Sequence, residues 1–290
     1  MINYKTGIIS ILPLLTLCYY YKKYKKHSEN SINEFFNNKN VIITGASQGI
    51  GNQLAKRLSK YNCKLFLLAR TFKSSNHNNI YKYKCDCSKY NEVNIIIKNI
   101  KTSSNKNSEF IVVNCAGSGD WKYLTEMDNK EIIDSIKAPL LSSIFVTKEI
   151  LEIIDKKITN QLLFIQSPAS IQPWKSSTLY STSRWGMKGF IESLRTDYYN
   201  EKIQIKEIIL GKVNSNYFLN NPKANFRFPF ISKFIPETSL EKSSDIIINT
   251  ILNNNNTYIY PEIINIMALT HRFFPSLVRY LTCSLGYAHQ

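Results

Sequence analysis

The sequence predicts an α/β fold, a single doubly wound parallel sheet of about seven strands with helices on both faces. Three observations carry this prediction. Short apolar runs such as Val41–Thr44, Lys64–Ala69 and Leu162–Ile165 recur along the chain, with amphipathic, helix-length stretches between them. These runs are apolar throughout rather than alternating, which is the signature of strands covered on both faces. A glycine-rich turn joins the first run to the first helix, where backbone amides and a helix N-terminus suit a pyrophosphate.

The bulk numbers agree with one folded unit. At 290 residues and 43% hydrophobic content, the chain suits one domain of about 250 residues with a short appendage. The net charge of +16 raises nucleic acid or anionic membrane as partners. Asn- and Lys-rich usage, as in 253–256, is the plainer source of the charge, and no basic–aromatic motif appears, so nucleic acid is not expected. The six cysteines, Cys18, Cys63, Cys85, Cys87, Cys115 and Cys283, are scattered. Cys85 and Cys87 have one residue between them, which fits alternating strand positions better than a zinc spacing. All six read as reduced thiols, and no metal is expected.

Residues 1–26 read as a membrane anchor with a basic flank. Gly7 to Tyr21 is apolar and aromatic and is followed by Lys22, Lys23, Lys25 and Lys26. Fifteen residues fall short of the roughly 20 that cross a bilayer squarely, but terminal tyrosines and snorkelling lysines extend the reach. A helix lying on the surface is the alternative. A signal peptide is disfavoured by the lysine cluster where cleavage would occur. The lysine asymmetry puts the remaining chain in the cytosol. Residues 27–39 read as a polar linker, 40–265 as the domain and 266–290 as an apolar C-terminal segment. From Ile263 to Leu285 the readings are ordinary C-terminal helices, a homodimer face, or a second membrane contact.

Within the domain, Val41–Thr44 leads into Gly45-Ala-Ser47-Gln-Gly49-Ile50-Gly51 and a helix with Leu54, Ala55 and Leu58 on one face. Lys64–Ala69 ends at Arg70, near the position where an acid would accept from the 2′-hydroxyl of NAD and a base suits the 2′-phosphate of NADP. Arg70, aided by Lys73, therefore favours NADP. Residues 71–80 are too short and polar for a helix, which leaves one sheet face thinly covered. Tyr81–Cys85 and Glu109–Val113 read as strands, with a helix over Asn91–Ile100 between them. A helix spans about Ile132–Ile154, with Pro139 inside it. Leu162–Ile165 delivers Ser167. Tyr180 and Arg184 open an amphipathic helix through Phe190, Leu194 and Tyr198, and Ile205–Leu210 reads as the next strand. Asn216–Pro236 is a long aromatic loop, including Phe218, Phe226, Phe228, Phe230 and Phe234. It reads as a lid over an apolar substrate. Ser239–Leu252 is a helix and Thr257–Tyr260 a last strand.

Taken together, Thr44-Gly45-x-x-x-Gly49-x-Gly51, Asn114-Cys-Ala116-Gly117, Ser167 and Tyr180-x-x-x-Arg184 closely resemble the short-chain dehydrogenase/reductase family. Within it, the chain looks most like membrane-bound lipid reductases, resembling the 11-beta-hydroxysteroid dehydrogenases and the 3-ketosphinganine reductases alike. The resemblance implies a Rossmann-like fold and an NADP-dependent oxidoreductase in the endoplasmic reticulum membrane, acting on a small apolar carbonyl or hydroxyl substrate. It implies cofactor contacts from the glycine turn with Ser47 and Ile50, from Arg70, Asp86, Asn114, Ala116 and Gly117, and from Gly211, Val213 and Ser215. Tyr180 is then the acid and Ser167 the donor to the substrate oxygen. A phenol is a poor acid near neutrality unless a fixed cation stabilises its anion, and four-residue spacing sets Tyr180 and Arg184 on one helix face. Two departures stand out. Arg184 replaces the family's Lys and cannot release a proton. The helix asparagine of the family is missing, with Pro139 there in an alignment without gaps and Ser135 in a looser one; a proline kink frees a carbonyl that preserves part of the geometry. The alternative reading is a degenerate member, a membrane-tethered nucleotide- or lipid-binding protein.

Overall fold

The computed structural model describes residues 27–117, 119, 121–215, 217, 227–228 and 230–284. The expected anchor at 7–21, Cys18, Phe218 and Phe226 lie outside the described residues. Among the described residues no helix is long and apolar enough to cross a membrane.

Eight strands form one sheet: β1 (Asn40–Thr44), β2 (Lys64–Ala69), β3 (Ser75–His77), β4 (Ile80–Lys84), β5 (Phe110–Asn114), β6 (Asn160–Gln166), β7 (Ile203–Leu210) and β8 (Thr257–Tyr260). Their spatial order is β3-β4-β2-β1-β5-β6-β7-β8. All neighbours run parallel except the β3–β4 pair. The order reverses between β1 and β5, and such a switch point opens a crevice at the carboxyl ends of the strands.

The strand pattern builds two apolar layers. Val41 and Ile43 face one side of the sheet with Leu54, Ala55 and Leu58 of α2 (Gly49–Leu58) and Ile247 and Ile251 of α7 (Leu240–Leu252). Ile42, Phe66 and Val112 face the other. There they meet α3 (Tyr90–Ser103), α5 (Ser142–Leu151) and α6 (Thr178–Asp197) through Ile97, Ile150 and Ile191. Both faces are thus covered, as uniformly apolar strands require.

Two expectations are corrected, and the expected kink at Pro139 is found. The stretch read as a polar linker contains α1 (Glu29–Phe36), capped by the Ser28 hydroxyl, with Ile32 and Phe36 buried. Those two residues lie four apart, on one helix face, and Phe36 stacks on Tyr61 with centroids 6.0 Å apart. The strand count is eight rather than seven, because the helix-free stretch 71–80 forms β3, antiparallel to β4. On the thinly covered side Phe72 packs against the core, with the Lys82 ammonium 5.8 Å above its ring. The helix expected over 132–154 is interrupted: α4 (Asn129–Ile136) passes through a π-turn at Lys137–Leu141 before α5. Pro139 lies in that turn and supplies no amide to the ladder, which is the kink its sequence position implies.

Candidate active site

The glycine turn leaves β1 at the switch point. Gly45 and Gly49 both take left-handed backbone angles, with φ of 66° and 58°. A side chain at Gly45 would also stand 3.0 Å from the Ala116 backbone, so the turn and the loop after β5 touch directly. Thr44 fastens that contact: its hydroxyl accepts from the Cys115 amide at 3.1 Å and the Ala116 amide at 2.9 Å. Gln48, at the N-cap of α2, makes no side-chain cap, which leaves first-turn amides for an anion. Ser47 and Ile50 are half-buried beside it. The Asn114 amide donates weakly to Leu163, and its Oδ1 is buried without a partner.

One cavity of about 200 Å3 extends from this turn into the substrate side. Ile50, Cys115 and Gly117 bound one end; Ser167, Tyr180 and Arg184 lie along it; Gly211, Val213 and Ser215 close the flank. The structure therefore brings the proposed catalytic residues to one space with five of the proposed cofactor residues, Ile50, Gly117, Gly211, Val213 and Ser215. Arg70 is outside the cavity, exposed at the end of β2, as is Lys73. Asp86 also lies apart, with its Oδ1 accepting from the Ser88 amide and hydroxyl at 3.1 and 2.7 Å.

Local structure explains each placement. Ser167 follows β6 directly and caps the 3-10 turn Pro168–Ser170, its hydroxyl accepting from the Ala169 amide at 3.3 Å. Its own hydrogen is left for another acceptor. Tyr180 sits in the first turn of α6, almost fully buried. Arg184 follows one turn later, with its guanidinium 5.1 Å from the Tyr180 ring centroid. Its Nη1 donates to the Ile165 carbonyl at 3.0 Å, and its Nε is buried without a partner. Ser183, fully buried, donates to the Ser135 carbonyl at 2.6 Å. Ser135 is four residues before Pro139, so this is the carbonyl that the proline leaves without its helical donor.

Sequence reasoning named Phe228 in the expected lid but missed Trp121 and Trp174, which build an aromatic wall with it. Trp121 lies 5.8 Å from Tyr180, 4.5 Å edge-on to Phe228 and 6.1 Å from Trp174. Arg227 clasps Glu126 with two bonds of 2.6 and 2.7 Å and donates to the Trp121 carbonyl at 2.9 Å. The loop around Phe228 is thereby tied to the segment after Gly117. Burial draws the Trp121 wall together from positions about 50 and 100 residues apart, so only the tryptophans' presence in polar stretches could have flagged them. In the loop expected to be aperiodic, Phe230–Phe234 forms a 3-10 turn. Among the described residues the cysteines are free thiols, and no cluster of His, Cys, Asp or Glu is arranged to hold a metal.

Comparison with known proteins gives the same outline. Residues 39–225 match the family model described as short chain dehydrogenase. An uncharacterized oxidoreductase of Saccharomyces cerevisiae is 30% identical over 64% of this chain, an alignment that spans 63% of the yeast protein's own length. A 3-ketodihydrosphingosine reductase of Debaryomyces hansenii is 25% identical, over 74% of this chain and 71% of the relative. A Burkholderia cenocepacia short chain dehydrogenase, solved in complex with NADP, superposes with a TM-score of 0.72 over 85% of this chain and 98% of its own, at 12% identity. With the family model covering well over half of its residues, this chain belongs to the short chain dehydrogenase family.

Proposed function

We propose that this chain is an NADP(H)-dependent oxidoreductase that reduces a ketone on an apolar, lipid-like substrate, a steroid or a sphingoid base, at a membrane. The observation that carries the reading is the cavity that Ile50 of the glycine turn lines together with Ser167 and the Tyr180–Arg184 pair. The residues suit a dinucleotide: a turn without room for a side chain at Gly45, uncapped amides at the start of α2, and an unpartnered buried Asn114 oxygen. Exposed Arg70 and Lys73 at the end of β2 suit the added phosphate of NADP rather than NAD. The NADP-bound Burkholderia neighbour agrees with that cofactor, and the 3-ketodihydrosphingosine reductase relative with a lipid-like ketone as substrate.

When bound, NADPH supplies the hydride. Ser167 donates its hydroxyl hydrogen to the substrate oxygen as negative charge develops there. Tyr180 gives that oxygen its proton. Arg184 holds a permanent positive charge beside the phenol and stays protonated throughout, so the proton that restores Tyr180 arrives by a route not passing through it. Trp121, Trp174 and Phe228 exclude water and receive the apolar body of the substrate. The segment 7–21 holds the protein in the endoplasmic reticulum membrane with the catalytic domain toward the cytosol.

A second reading, a tethered nucleotide- or lipid-binding protein, is favoured by one observation: Arg184 spends one donor on the Ile165 carbonyl. NADPH oxidation by the full chain in vesicles separates the two, using a ketone panel with 3-ketosphinganine and a ketosteroid. Turnover that Tyr180→Phe abolishes while NADPH still binds supports the reductase. NADPH binding by the wild type without turnover of any ketone supports the second reading.

A further inference from the structure

We propose that the outer face of the last two helices docks on an anionic lipid surface, beside the substrate cavity. The helices are α8 (Glu262–Phe273) and α9 (Pro275–Ser284). Each is two-sided. Inward, Ile264 of α8 is buried and lines the cavity. Val278 and Thr282 of α9 are buried as well, and Thr282 accepts from Gln172, another cavity residue, at 3.4 Å. Outward, Ile263, Ile266, Leu269 and Phe273 recur every three or four residues along α8, all exposed. Phe274, Leu277 and Tyr280 continue the stripe on α9.

The consecutive Phe273 and Phe274 are 69% and 62% exposed. Scattered single apolar residues are ordinary on a surface, but a contiguous stripe across two helices marks a docking face. The 3-10 turn packed against α9 adds Phe234, 66% exposed, next to Ile235, which lines the cavity. One side of this small unit therefore walls the substrate space while the other side is greasy and outward.

Charge selects the occupant. From Ile263 to the last residue the sequence has no Asp or Glu, and Arg272 and Arg279 are exposed on the same two helices. A second copy of the chain would set arginine against arginine, with only Glu262 at the far end of α8 to pair them. An anionic headgroup layer pairs both, while the apolar side chains enter the acyl boundary, as interfacial amphipathic helices do. The purpose assigned to the face, loading a membrane-dissolved substrate, rests on the ketone-reductase reading; the contact itself does not.

The test places a reporter on the face of the full chain. Phe274→Trp is compared with Ile95→Trp, a comparably exposed position on α3 outside the stripe, on phosphatidylcholine–phosphatidylserine vesicles with brominated acyl chains. The three native tryptophans give a common background. Emission added at position 274 should be quenched several-fold more than emission added at 95. Equal quenching overturns the proposal. Adding Arg272→Glu and Arg279→Glu to Phe274→Trp should remove most of the excess quenching; unchanged quenching overturns the preference for anionic lipid. Cross-linking of two copies through position 274 in place of lipid contact overturns it as well. None of these readouts needs turnover, so an inactive enzyme leaves them decisive.

Discussion

Replacing Ser183 with Ala tests how the interrupted helix is held against the catalytic one. The hydroxyl is fully buried and donates at 2.6 Å to the Ser135 carbonyl. Removing it leaves a buried acceptor without its donor, which costs about 1–3 kcal/mol. For a domain of this size each kcal/mol lowers Tm by roughly 2–4 °C. The cause assigned to the orphaned carbonyl is Pro139, which has no amide to offer it. Pro139→Ala supplies one. In the double variant the new amide takes the carbonyl, so the Ser183→Ala penalty should shrink by about 1 kcal/mol or more. Denaturant unfolding of the four proteins of this cycle measures the coupling. Residues that do not interact are additive to within about 0.3–0.5 kcal/mol. Additivity at that level would refute the claim that Ser183 compensates for Pro139. A Ser183→Ala variant as stable as the wild type would refute the bond itself.

Three further outcomes follow from the same geometry. Arg184→Lys should leave turnover equal or higher, since Lys keeps the charge and restores a group that exchanges protons; a steady-state assay showing a loss above tenfold contradicts Arg184 as an electrostatic substitute. Arg70→Asp should weaken NADPH binding and favour NADH, read by fluorescence titration; equal wild-type affinity for both cofactors contradicts the assignment. Lys206 is buried in β7, and burial pushes its pKa down from 10.5 to about 8. The unfolded chain then binds more protons between those values, so stability should rise with pH from about 8 to 10.5, the penalty being fully present below that window. Lys206→Met should flatten the rise in pH-dependent unfolding. It also removes the donor to the Thr250, Ile251 and Asn253 carbonyls at the end of α7, so the slope, not the absolute stability, is the readout.

What could be read from the sequence was local. The parallel strands announce themselves because burial on both faces demands continuous apolar runs, and Tyr180 and Arg184 because helix periodicity sets residues four apart side by side. What escaped depends on partners far along the chain. Ser75–His77 has no strand pattern of its own; it is a strand because Ile80–Lys84 offers it a free edge. Ile32 and Phe36 had the right spacing and a capping Ser28 before them, but the polar residues around them hid a helix whose apolar side is completed by Tyr61 and α7. The Arg227–Glu126 clasp joins positions 101 residues apart, which no window of sequence reveals.

The two departures from the family pattern belong to one structural unit. Pro139 frees the Ser135 carbonyl, Ser183 takes it, and Ser183 is the residue before Arg184 on α6. The break in one helix therefore contributes a hydrogen bond that fixes the turn of α6 carrying the arginine. The larger guanidinium also needs space that an ammonium would not. Its Nη2 lies 3.0 Å from where a side chain on Gly117 would begin, so a Cβ there would make the guanidinium shift by a few tenths of an ångström. A change at either departure is thus expected to be felt at the other. Pro139→Ala, which touches neither Tyr180 nor Arg184 directly, perturbs the site through the shared Ser135–Ser183 bond.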